Sequence, residues 1–299
     1  MKIWAMESRS FVLFLMLIPV LAYTQGRFMN VEIKSTQLTD RHYMLQGAGG
    51  NIGLYVGDEK AFMIDDQFAP LSQKIMAEID SISQLPVSIL VNTHWHGDHT
   101  GGNENFGTAG AMIIAHDNVH VRMSQEQNRG GKITAAAPVI ALPVITFDEG
   151  LTFRDLEEPV MMIHVDSAHT DGDAFVWFPE SNVLHMGDCF FHKRFPYIDL
   201  NSGGSFRGAI SAVERALLII DQDTQIIPGH GPMASMQDLL YYRTFLMTIR
   251  DRMISELQDH KTREEINSAE IVAGYEDLNW AFITADRFVD IVFASMSDE

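Results

Sequence analysis

The sequence predicts an α/β protein in which two sheets are covered by helices. Three observations carry this. Strand-like segments followed by a helix occur twice along the 299 residues. Histidines and acids stand at the ends of four separate predicted strands. Short apolar runs suited to buried strands alternate with segments whose apolar residues recur at helical spacing. The composition, 46% hydrophobic and 20% charged, is ordinary for a globular chain.

The chain begins with a segment of another kind. Lys2 and Arg9 precede the apolar run FVLFLMLIPVLA of residues 11–22, and polar residues 23–26 follow. That is the layout of a secretory signal peptide over residues 1–22, with the cut as late as residue 25. The run is short for a membrane span, and no cysteine follows it to carry a lipid. A periplasmic or secreted protein without stable membrane insertion is expected, and no other segment is long and apolar enough to span a bilayer. The net charge of −19 makes a surface that repels nucleic acid and anionic lipid. A single cysteine, Cys189, excludes an internal disulfide.

The first main-domain segment, residues 31–64, reads as short strands joined by glycine turns. Residues 51–56 and 61–64 flank Gly57-Asp58-Glu59-Lys60, a hairpin turn, and Asp65-Asp66 closes the second strand. Residues 71–83 place Leu71, Ile75, Ile79 and Ile82 on one helical face. Residues 87–91 form a buried strand, 103–106 begin a helix, 111–115 form the next strand, and 118–127 a helix ended by Gly130-Gly131. Residues 132–148, with Pro138 and Pro143, read as a surface loop. Strands are expected over 151–153, 160–165, 174–178 and 183–186, then a long aromatic loop over 190–205, a helix over 206–220 and a last strand at 225–227. From Met236 the chain is helical, and Thr262 with Glu265 makes a capping box that opens a further helix.

Chemistry is concentrated in Thr93-His94-Trp95-His96-Gly97-Asp98-His99-Thr100-Gly101-Gly102-Asn103, which follows the strand at 87–91. In an extended chain His94 and His96, two apart, point the same way. Asp98 and His99 lie on the next turn, where Gly97, Gly101 and Gly102 are expected to permit a sharp bend. Neutral imidazoles and ionised carboxylates are the usual ligands of zinc and similar divalent metals. Three more strand ends carry His169-Thr170-Asp171-Gly172-Asp173, Gly187-Asp188-Cys189 and Pro228-Gly229-His230-Gly231. Each alone is an ordinary turn; together they converge where an α/β scaffold can gather distant residues.

In order and spacing this set resembles the metallo-β-lactamase superfamily over roughly residues 31–232. The resemblance implies a four-layer αββα sandwich over residues 26–235, with a helical C-terminal extension, 236–299, that packs on it or contributes to a homodimer. It implies two zinc ions per chain. The first would be held by His94, His96 and His169, the second by Asp98, His99 and His230, with Asp188 bridging. It implies a hydrolase whose metal-bound hydroxide opens the carbonyl of a small molecule, with Asp98 and His230 as catalytic residues as well as ligands. Asp65 is expected to support the site from behind rather than to bind metal.

Two named activities follow from different features. The stretch from Trp177 to Cys189 resembles the zinc β-lactamases that use a cysteine ligand, which would make Cys189 an alternative ligand. Gly187-Asp188 and His99 instead resemble lactonase-type and glyoxalase-type members, in which the aspartate bridges. The cysteine enzymes place a Lys three residues beyond the Cys for the drug's carboxylate; here that position is His192, and Lys193 follows. A β-lactamase-like hydrolase is the most concrete expectation, a lactonase, esterase or thioesterase the alternative, and a non-hydrolytic di-iron protein a third. Phe68 and Pro70 fall where a loop over the metals is common, and Tyr197 is the candidate substrate contact in the aromatic run.

Overall fold

The structure, a computed structural model, describes residues 26–129 and 132–297. The signal-peptide segment and the Gly130-Gly131 helix stop lie outside these residues.

Two sheets face each other across an apolar layer. The first runs β1 (Lys34–Gln37), β2 (His42–Gln46), β3 (Ile52–Val56), β4 (Ala61–Ile64), β5 (Val87–Val91), β6 (Met112–His116) and β9 (Ile145–Phe147), antiparallel up to β4 and parallel beyond it. The second runs β10 (Gly150–Phe153), β11 (Val160–Val165), β12 (Asp173–Phe178), β13 (Val183–His185) and β14 (Gln225–Ile227), with only the last pair parallel. A separate hairpin pairs β7 (Gln127–Arg129) with β8 (Lys132–Thr134).

Alternation along the strands builds the layers. In β12, Ala174, Val176 and Phe178 enter the layer between the sheets, while Phe175 and Trp177 turn to the outer face. In β4, Phe62 and Ile64 point inward, and Ala61 and Met63 point out. Helix α1 (Ser72–Ile82) covers the first sheet through Ile75 and Ile79, joined there by Phe106 of α3 (Asn103–Thr108). Helices α5 (Phe206–Leu217), α6 (Met236–Gln258) and α8 (Ala285–Ser297) cover the second sheet through Val213, Leu246, Phe245 and Phe288. The result is the expected αββα sandwich, with the C-terminal helices part of its outer layer.

Several local expectations change. The helix beginning near residue 118 is α4, Asp117–Met123, and it stops there because Ser124-Gln125-Glu126-Gln127-Asn128 offers no apolar residue to bury. The presumed loop 132–148 holds β8 and β9; in β9 only Phe147 is buried, so no alternation was readable. The capping box at Thr262 and Glu265 forms, but it opens a single 3-10 turn, Arg263–Glu265. Ile266 is extended and Asn267 caps a separate short helix, α7 (Ser268–Ile271). Among the described residues no helix is long and apolar enough to cross a membrane.

Candidate metal centre

Every candidate ligand lies just beyond the end of a strand on one edge of the sandwich. His94 and His96 follow β5, and Asp98 and His99 sit on the one-turn helix α2, Gly97–Thr100. His169 follows β11, Asp188 follows β13 and His230 follows β14. Of Gly97, Gly101 and Gly102, the last two stand where a side chain would clash, as expected, though not for backbone conformation. Residues 97–100 are right-handed helix and Gly101 has φ −66°, so no left-handed turn is needed there. Gly101 and Gly102 serve close packing instead: a Cβ at Gly101 would lie 2.5 Å from Gly97 O, and one at Gly102 3.0 Å from Asp66.

The side chains converge as two adjoining groups. Ligand atoms of His94, His96, His169 and Asp188 lie within 4.8 Å of one another, and so do those of Asp98, His99 and His230. Asp188 faces both. Its Oδ2 is 3.8 Å from His94 Nε2 and 3.5 Å from His169 Nε2. Its Oδ1 is 3.1 Å from His99 Nε2 and 3.4 Å from His230 Nε2. Cys189 belongs to neither group; it packs in the core on the outer face of the second sheet, and burial pushes its thiol pKa well up.

The outer ring nitrogens are held from behind. Asp65 Oδ2 lies 2.7 Å from His99 Nδ1, and Asp199 Oδ2 lies 3.0 Å from His96 Nε2. The Tyr197 backbone oxygen is 2.7 Å from His169 Nδ1, and Thr93 Oγ1 is 3.1 Å from His94 Nδ1. Thr93 itself donates its hydroxyl and backbone N–H to Asp65. Asp173 accepts the backbone N–H groups of His169 and Thr170, fixing that turn. Asn51 donates to Pro228 O and Gly231 O, fixing the turn that carries His230. His94, His96, His99 and His169 are thereby each oriented with the other nitrogen toward the centre, the arrangement that supports metal-binding histidines.

The centre fits a cation. His94 Nε2, His99 Nε2 and Asp188 Oδ1 are buried and make no aligned hydrogen bond within the described residues. Leaving polar atoms so is costly unless something else satisfies them. Two glycines keep the space clear: a Cβ at Gly50 would lie 2.1 Å from the His99 ring, and one at Gly229 2.1 Å from Asp188 Oδ1. The electrostatics agree. Burial pushes the Asp188 carboxyl up, but His230, His99 and His169 outweigh it and hold it well below the usual carboxylate range. Burial, reinforced by His99, pushes His94 well below its ordinary value, so its ring stays neutral. His230 goes the other way: burial lowers it, Asp188 and Asp98 overcome that, and it rises to about 9.

The groups open on a cleft of about 430 Å³ lined by His96, Asp98, Asp188 and His230, with Phe68, Phe191 and Tyr197 among its walls. Tyr197 lines the cleft, and its ring centroid is 6.0 Å from that of His96. Sequence reading missed four residues. Asp199 was one acid in an aromatic loop, with no spacing to mark it. Arg194, half-buried on the cleft, meets no carboxylate among the described residues, and burial pushes its pKa down. Trp280 and Phe282 reach the cleft from the C-terminal extension, far from any motif.

A sequence model of the metallo-β-lactamase superfamily matches residues 45–230. A curated protein from Bacteroides fragilis described as a metallo-β-lactamase type 2 is 21% identical over 233 residues, covering 74% of this chain and 88% of that one. A hydroxyacylglutathione hydrolase from a Polaromonas species is 23% identical over 167 residues, covering 54% of this chain and 55% of that one. Among solved structures, a metallo-β-lactamase from Pontibacter korlensis superposes with a TM-score of 0.59 at 17% identity, covering 72% of this chain and 99% of that one.

Proposed function

Because this chain belongs to the metallo-β-lactamase superfamily, whose members are typically metal-dependent hydrolases, we propose that it is an exported binuclear zinc enzyme that opens an amide, lactone or ester carbonyl. The observation that carries the reading is Asp188, whose two carboxylate oxygens each face a different histidine pair.

In this reading His94, His96 and His169 would hold one zinc and Asp98, His99 and His230 the other, with Asp188, which faces both groups, as a shared ligand. Nitrogen ligands with a few carboxylates suit zinc. Two bound cations supply Lewis-acid polarisation of a carbonyl and make water acidic enough to act at neutral pH. The protein's own groups do the rest. Asp98 is partly exposed to the cleft, and although burial pushes its carboxyl up, His99 and His230 hold it well below the usual range. It therefore stays ionised and can orient water. His230 Nε2, 3.4 Å from Asp98 Oδ2, fixes that carboxylate's direction. In this reading Tyr197 and Arg194, both on the cleft wall, would meet a substrate carbonyl and a substrate anion respectively.

A β-lactam is the leading named substrate, supported by the descriptions of the relatives and by Arg194, a cation on the cleft although position 192 is not Lys. A lactone or ester is the second reading, favoured by Asp188 standing in the centre while Cys189 lies in the core. The apolar run after Lys2 and Arg9 supports export, and amino-terminal sequencing of the mature protein checks it. Purified enzyme is expected to hold about two zinc ions per chain. A panel of a carbapenem, an acyl-homoserine lactone and an aryl ester separates the substrate readings. A His96→Ala, Asp98→Ala double variant should lose hydrolysis of whichever of the three the wild type cleaves; full activity in that variant would end the proposal.

A further inference from the structure

The C-terminal extension does more than cover the second sheet. After α7, residues 278–283 return to the edge where the candidate ligands lie. Phe195 pins this segment to the loop that follows Asp188: its N–H donates to Leu278 O at 2.9 Å, and its carbonyl accepts from Trp280 Nε1 at 2.9 Å. The consequence is a continuous arc of rings around one side of the cleft. From His96 it passes to Tyr197 at 6.0 Å, Phe282 at 5.5 Å, Trp280 at 5.5 Å and back to His230 at 5.9 Å between centroids. Both ends of the arc are candidate metal ligands.

Phe282 is an unusual residue to leave in the open. It is 47% exposed, yet one face is covered by the Arg287 guanidinium at 4.3 Å, which also donates to its backbone oxygen. Trp280 is likewise backed by Arg194 at 4.9 Å. Two cations thus stiffen two aromatic side chains. A large ring held rigid beside a reactive centre and still wetted costs free energy that a flat apolar ligand would recover.

We propose that Trp280 and Phe282 are specificity-determining residues, which receive a flat apolar ring carried by the substrate next to its scissile carbonyl. This rests on the hydrolase reading and names the substrate class for it: carbonyl compounds with an aryl or similarly flat group, in preference to small alkyl analogues. Neither residue is itself a candidate ligand, so they are expected to act on binding rather than on the chemical step.

The test compares 1-naphthyl acetate with ethyl acetate on zinc-loaded full-length enzyme and on Phe282→Ala, Phe282→Tyr and Trp280→Phe variants. Phe282 is exposed enough that its replacement should leave the fold intact, and Trp280→Phe keeps a ring where Trp280→Ala could collapse the segment. Phe282→Ala should raise KM for the naphthyl ester about tenfold while kcat changes less than about twofold, so that aryl-over-alkyl discrimination falls about tenfold. Phe282→Tyr should restore it. An unchanged discrimination ratio in Phe282→Ala would overturn the proposal. Binding of 1-naphthoate, followed by tryptophan fluorescence, decides the matter without turnover: weaker binding to Phe282→Ala supports it, and equal binding overturns it. If wild-type enzyme cleaves neither these esters nor any member of the carbapenem, lactone and aryl ester panel, the hydrolase reading fails, and the naphthoate titration still decides the aromatic wall.

Discussion

Asp65 stands behind the centre, yet two residues of it depend on this one carboxylate. It accepts from Thr93 and lies 2.7 Å from His99 Nδ1, and it does so from a left-handed backbone with φ 61°. Asparagine tolerates that conformation, so Asp65→Asn removes the charge while sparing the turn. Zinc affinity is expected to fall about 10–100-fold, with an unchanged circular dichroism spectrum; a competition titration returning wild-type affinity would show that Asp65 only ties the turn together. Gly229→Ala addresses the same centre from the other side. Gly229 is not in the left-handed region, but its Cβ would sit 2.1 Å from Asp188 Oδ1. That Cβ would also lie 2.6 Å from the Gly187 backbone oxygen, so loss of zinc together with a lower melting temperature of the metal-free protein is expected, and retained zinc would contradict it. At this scale the sequence was most legible for the residues that converge. His94, His96, Asp98 and His99 lie within six positions, and His169, Asp188 and His230 stand beside turn glycines or at strand ends. Asp199 and Arg194 were not legible, because a lone acid or cation in a loop carries no period.

Elements follow the same logic. Short apolar runs bounded by turn residues, such as β11, β12 and β14, and the strand β5 feeding the centre could be placed almost to the residue. The hairpin β7–β8 and the edge strand β9 could not, since they bury almost nothing and are defined by backbone pairing alone. The return of residues 278–283 to the cleft depends on contacts more than 80 positions away in sequence, such as Trp280 with Phe195, which no local pattern encodes. Strand β2 carries a pH liability of its own. His42 is 2% exposed, with rings of Tyr55 and Phe178 against it and Glu158 3.8 Å away. Burial, helped by Arg41, pushes its pKa down to about 4. A histidine lowered in the folded state binds its proton more readily when unfolded. Its contribution is therefore full above pH 6.5, falls as pH drops from 6.5 toward 4, and levels off below that. The loss should approach about 3 kcal/mol. Urea unfolding at pH 7 and pH 4.5 should show that His42→Gln loses much less stability on acidification than wild type, whereas identical losses would place the acid sensitivity elsewhere.

The whole molecule is two sheets that present their strand ends at one edge, and that arrangement puts residues from four distant turns around a shared charge. Seven buried or half-buried ligands with opposed charges are costly to hold together unless a cation balances them. Metal should therefore be a large part of the folded state's stability. Removing it with a chelator is expected to lower the melting temperature by about 5–10 °C, reversed by zinc; an unchanged transition would mean the sandwich does not need the ions. The fold class and its layers could be read from strand and helix periodicity, whereas the walls of the cleft could not, because they come from loops and from the C-terminal extension. The most direct test of the central claim is zinc counted per chain, with hydrolysis measured on the same samples, in wild type and in Asp188→Ala. About two ions in wild type, and fewer than about one with hydrolysis lost in the variant, is the expected result. A wild-type protein that cleaves its substrate at full rate with no bound metal in excess chelator would contradict it.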